Sequence, residues 1–198
     1  MSSSTSAQPH LPPTDEEIEK NKQQALELLP KLRKELGNDE SSAVDVPDEQ
    51  LLHFLYWKQD VKRAEERYHK LDEWTKENPW GFNKGVKLED DPTLRRCLES
   101  EFLVAPDNMH DKFGRPVIVG RLRNNDMSDG RQPQDVVRTM VYVIDRVLER
   151  EEARTKGVLL FHDLRGLSFN NIDPRIPKLL IHAIIGHVSL DCCLLFVL

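Results

Sequence analysis

Residues 157–173, GVLLFHDLRGLSFNNID, constrain the possible folds of this chain more than any other stretch. Val158, Leu159, Leu160 and Phe161 leave no polar face, so a strand built from them must be covered on both sides, as in parallel or mixed sheets flanked by helices. Asp163, Gly166, Asn170 and Asn171 then lead the chain off the sheet. Asp173-Pro174 supplies an N-cap followed by proline at the first helical position, so a helix must come next. Ligands of open α/β sheets sit at the carboxyl ends of such strands, which draws attention to His162, Asp163 and Arg165.

A chain of 198 residues holds one sizeable core with room for a small helical appendage. Its net charge of −6 and the lack of a dense basic cluster argue against a general nucleic-acid binder. Cys97, Cys192 and Cys193 are odd in number and the last two are adjacent, so no disulfide framework is legible and a reducing compartment fits. The opening MSSSTSAQPHLPP has neither a cationic nor an apolar signal region, and the cytoplasm is the expected location.

Residues 1–13 offer nothing to bury and are expected to be disordered. Thr14 and Glu17 have capping-box spacing at the head of a helix that Gly37 ends and Pro30 should kink or restart. Asp48 opens a short apolar helix with Leu51, Leu52, Phe54 and Leu55. Asp60 caps a longer helix, Val61–Glu77, whose stripe is Val61, Ala64, Tyr68, Leu71 and Trp74. Asp91-Pro92 caps another helix around Leu94 and Cys97. Phe102–Ala105 and Pro116–Leu122 flank a turn-rich segment and read as an antiparallel pair. An amphipathic helix from Pro133 to about Arg150 then connects to the strand at 158–161, a crossover that places the flanking strands parallel.

Common catalytic signatures are missing: there is no phosphate loop, no nucleophile elbow, no H-E-x-x-H and no C-x-x-C. His162 and Asp163, as strand neighbours, point to opposite faces and do not form a proton-transfer pair. His182 and His187 are five apart, off the spacing of a metal pair on one helix face, and Cys192-Cys193 reads as two small apolar residues. No enzyme activity, metal or cofactor is expected. Residues Lys178–Leu198 are mostly apolar and approach the length of a membrane span, but His182, His187 and Asp191 oppose that reading.

Three stretches in this order carry a resemblance: Leu51–Pro79, Asp111–Leu122 (DKFGRPVIVGRL) and GVLLFHDLRGLSFNNID. In them the chain resembles the CRAL-TRIO lipid-binding family of retinaldehyde-binding, tocopherol-transfer and phosphatidylinositol-transfer-like proteins. The resemblance implies an α/β chain in which an N-terminal helical subdomain precedes a mixed-sheet lipid pocket. It implies a hydrophobic cargo (phospholipid, phosphoinositide, retinoid or tocopherol-like), carried between membranes without covalent chemistry, and a peripheral, transient contact with a membrane surface. Family members continue past the helix at 173–185 with further strands and a gate helix whose motifs are absent here, so the fold is expected to be incomplete, a C-terminally truncated form with impaired transfer. The expected divisions are a tail at 1–13, helices over 14–90, and the first half of the lipid-binding domain over 91–198, atypical from about 187. The residues expected to meet cargo are Val158, Leu160 and His162 from one face of the central strand, with Val117 and Val119. Lys58 is the one cation in Tyr56–Gln59, where the family meets a head group. A competing expectation is a non-transfer module presenting an apolar face to a partner protein or a membrane.

Overall fold

The computed structural model describes residues 12–37, 46–79 and 86–187, apart from the side chains of residues 57, 58, 182 and 184–187. Most of the expected disordered opening, and the tail from 188, lie outside these residues.

Three helices form the N-terminal part: α1 (Asp15–Glu35), α2 (Asp48–Lys58) and α3 (Val61–Glu77). At the head of α1, Thr14 and Glu17 form the expected capping box, with the Thr14 backbone N–H donating to the Glu17 carboxylate at 2.7 Å. Pro30 neither kinks α1 into two elements nor ends it. It lies on the solvent side, like Leu26 four residues before it, so the carbonyl that loses its partner faces water. Asp60 caps α3 by accepting from the Arg63 backbone N–H at 2.9 Å. Leu32, Leu51, Phe54, Leu55 and Ala64 make the core of this bundle, with Tyr68 and Leu71 packed against it.

The second part begins with α4 (Pro92–Glu99), capped by Asp91, and continues through β1 (Leu103–Val104), β2 (Val117–Arg121), α5 (Pro133–Leu148), α6 (Glu151–Lys156), β3 (Leu159–Asp163) and α7 (Arg175–His187). β1 pairs antiparallel with β2, and β2 pairs parallel with β3, in the order β1-β2-β3. The mixed sheet and the crossover agree with expectation. Two boundaries differ. The amphipathic helix stops at Leu148 and a separate α6 follows, and β3 starts at Leu159 rather than Val158. Between them Gly157 adopts φ 90°, ψ −173°, a conformation essentially confined to glycine that lets α6 turn straight into the strand.

Register fixes the two faces of the sheet. Ile118 pairs with Leu160 and Gly120 with His162, so these share one face, while Val117, Val119, Leu159 and Phe161 share the other. α5 packs on the first face: Ile118, Leu160 and Val158 join Val136, Met140, Val143 and Val147 in one cluster. The second face is covered only in part by the described residues: Val117 is buried, Val119 and Leu159 are half-buried, and Phe161 is 38% exposed. A fully apolar run therefore does not imply full cover on both sides here, because among the described residues α5 and α7 pack on the first face.

A third cluster joins the two parts: Trp74 of α3 packs with Val137 and Val141 of α5 and Ala183 of α7. α2 and α1 also reach α6, through the Tyr56 hydroxyl donating to the Thr155 carbonyl at 3.4 Å and Lys22 pairing with Glu151 at 2.6 Å. Among the described residues no helix is long and apolar enough to cross a membrane.

Candidate functional site

The carboxyl end of β2 and β3, on the side of α5 and α7, is where the expected site residues and the sheet geometry converge. Val158, just before β3, and Leu160, its second residue, lie toward the other end of the strand, both buried in the cluster against α5. His162 continues the same face and is half-buried. Its imidazole lies over Gly120: a Cβ added to that glycine would stand 2.6 Å from His162 Nδ1, well inside contact distance. The histidine fits because its strand partner has no side chain. Burial holds the imidazole pKa below its ordinary value, which favours the neutral ring. On the same side of the sheet Met127, Ile144, Ile176 and Leu180 pack half-buried against the main cluster. An apolar wall with one neutral imidazole can seat a greasy molecule that carries one hydrogen-bonding group.

Val117 and Val119 stand on the opposite face, Val117 buried and Val119 half-buried, so the five expected cargo residues on the sheet do not line one surface. Lys58 is the last residue of α2, and its side chain lies outside the described residues.

Asp163 and Arg165 have a structural role. The Asp163 carboxylate accepts from Arg165 Nε at 2.8 Å and Nη2 at 2.9 Å, and from Arg123 Nη1 at 2.7 Å. The Arg165 guanidinium first, and Arg123 second, hold its pKa well below the usual carboxylate range, so it is a fixed anion and not a proton shuttle. This clamp ties the end of β3 to the segment after β2. A second network follows directly: Asn171 Nδ2 donates to the carbonyls of Arg123 at 2.9 Å and Asn125 at 3.2 Å, while Asn125 Nδ2 returns a bond to the Asn171 carbonyl at 3.0 Å.

Sequence reasoning missed the seat at Gly120, although an isolated glycine inside a strand is a signal of close approach. It also missed the network in the loop before α5, where the partners are distant in sequence and carry no spacing signal. The cleft between α1 and α6, about 290 Å³ in volume, lies away from this site. Asp15, Glu19, Lys22, Glu151 and Lys156 line it, and that charged rim does not suit an apolar guest. Among the described residues no cluster of His, Cys, Asp and Glu could hold a metal ion.

A family model described as the CRAL/TRIO domain matches residues 103–188, from the first residue of β1 to just past the end of α7. No curated protein matches the chain.

Proposed function

Residues 103–188 belong to the CRAL/TRIO domain family, whose members bind hydrophobic lipids, and from that premise we propose that this chain binds a lipid cargo and carries it between membranes. The observation that carries the reading is the half-buried imidazole of His162, seated over Gly120 at the carboxyl end of two parallel strands whose α5 side is apolar. The driving force is desolvation, about 0.8 kcal/mol for each buried methylene of the guest. His162 selects cargo with a hydrogen-bonding group over one without. On this side the described residues offer the sheet and the helices α5 and α7 as walls for the guest. No catalytic step is assigned to it.

The test is loading with a fluorescent phospholipid or a retinoid, followed by gel filtration. The chain is expected to retain a measurable fraction, and His162→Leu to lower retention of a cargo with a polar head about tenfold relative to a plain hydrocarbon probe, the worth of one hydrogen bond to a buried group. Equal retention of both probes by the two forms would count against the site.

A second reading rests on Phe161, exposed on the open sheet face: a non-transfer module that uses this face to bind a protein partner. A lipid-free oligomer in native size measurement favours it, and a lipid-bearing monomer favours transfer.

A further inference from the structure

Phe169 is 96% exposed, more than any other large apolar side chain among the described residues, and Ile172 beside it is 49% exposed. Such exposure is common where a loop has no internal support, but this turn is fixed. Asn171 at its base is buried, and its Oδ1 accepts from the Ser168 backbone at 2.8 Å and hydroxyl at 2.7 Å while its amide holds the carbonyls of Arg123 and Asn125. A short 3₁₀ turn, Phe169–Asn171, thus holds an aromatic ring out in water on an anchored base. The net charge of its own segment is opposite to that of the chain. Residues 164–181 carry Arg165, Arg175 and Lys178 against the single carboxylate of Asp173, in a protein of net charge −6. The Arg165 and Arg175 side chains are 87% and 66% exposed, and Lys178 is exposed. Asp163 is shared by Arg165 and Arg123, so that group keeps a positive charge.

We propose that this turn is a docking surface for anionic membranes, with Phe169 and Ile172 entering the boundary between head groups and acyl chains and Arg165, Arg175 and Lys178 meeting anionic head groups. The shape favours a bilayer over a protein: a single projecting turn needs no complementary groove in fluid lipid, and apolar tips ringed by cations match an anionic interface. The proposal rests on the cargo reading only in that a lipid carrier must reach a bilayer.

The experiment is co-sedimentation of the full chain with vesicles of phosphatidylcholine alone and of phosphatidylcholine mixed with phosphatidylserine, at low and high salt. Binding is expected to favour the mixed vesicles and to weaken with salt. Phe169→Ser should lower partitioning about tenfold, and Lys178→Gln about fivefold at low salt, with thermal unfolding unchanged because both side chains are exposed. Phe169→Trp gives an independent readout, since brominated acyl chains should quench the added fluorescence over that of the parent. Equal binding by Phe169→Ser and the parent, or no quenching of the new tryptophan, would overturn the proposal. A parent that self-associates through Phe169 would also overturn it, by giving the patch to a second copy of the chain. Lipid extraction separates the two readings: cargo without vesicle selectivity defeats this surface alone, and Phe169-dependent docking without cargo defeats the carrier reading alone.

Discussion

At His162 a polar group survives in an apolar wall because the residue opposite it on β2 is Gly120. The Gly120→Ala substitution should therefore force the imidazole from its seat and destabilise the fold by about 1–3 kcal/mol, the usual range for overpacking. In Gly120→Ala/His162→Ala the clash is gone, so the double variant should be more stable than the sum of the two single losses, as read by denaturant midpoints. Additive losses would show that the ring does not press on the glycine. His53 gives a pH effect of different origin. Burial first, and the Arg154 guanidinium second, depress its pKa to about 4, with Asp145 acting the other way. The unfolded chain then takes up the proton first as pH falls. The contribution is fully present above about 6.5, declines down to about 4, and changes no further below that, with a slope of at most about 1.4 kcal/mol per pH unit. His53→Leu should flatten that window. His162 titrates in the same direction and leaves a residual slope, and the fixed anions Asp129, held near 2 by Arg131, and Asp163 act only at lower pH.

Between β2 and α5, a buried arginine organises the loop that the sequence presents as merely polar. The Arg131 side chain is 2% exposed, bonds Asp129 through Nε and Nη2, and reaches Ser100 Oγ at 3.3 Å and Asn125 Oδ1 at 3.4 Å. Asp129→Ala leaves that guanidinium buried without its counter-charge, so a loss of about 3–5 kcal/mol is expected in chemical unfolding. A loss under 1 kcal/mol, the range of exposed pairs, would show that the loop relaxes to admit water. Loops of this kind account for what sequence left illegible. Elements with local grammar were legible: α1 from its capping box, α3 from Asp60, α4 from Asp91-Pro92, and the β2–α5–β3 crossover from periodicity and length. Pro30 was over-read because a proline on the solvent side of a helix surrenders a hydrogen bond that water replaces. α6 was missed because six residues carry too little period to register. The split of Val158, Leu160 and His162 from Val117 and Val119 was half legible, since alternation sorts residues along each strand but only register between strands relates the two sets.

For the whole molecule, the coupling of a helical bundle to the mixed sheet is visible in the third cluster, where Trp74 of α3 lies against α5 and α7. The bundle thereby braces the two helices on the His162 side of the sheet, so the proposed cargo site would depend on residues far from it in sequence. The basic, apolar turn at Phe169 sits between β3 and α7, at the same end of the sheet as His162. The proposed docking turn and the proposed cargo site thus fall on neighbouring parts of one segment. The central claim is that residues 103–188 shelter a lipid against the sheet. Mass spectrometry of organic extracts from the natively purified chain tests it most directly. The account predicts a co-purifying lipid with at least one hydrogen-bonding group, depleted in His162→Leu. An extract indistinguishable from that of an unrelated protein prepared in parallel would contradict it.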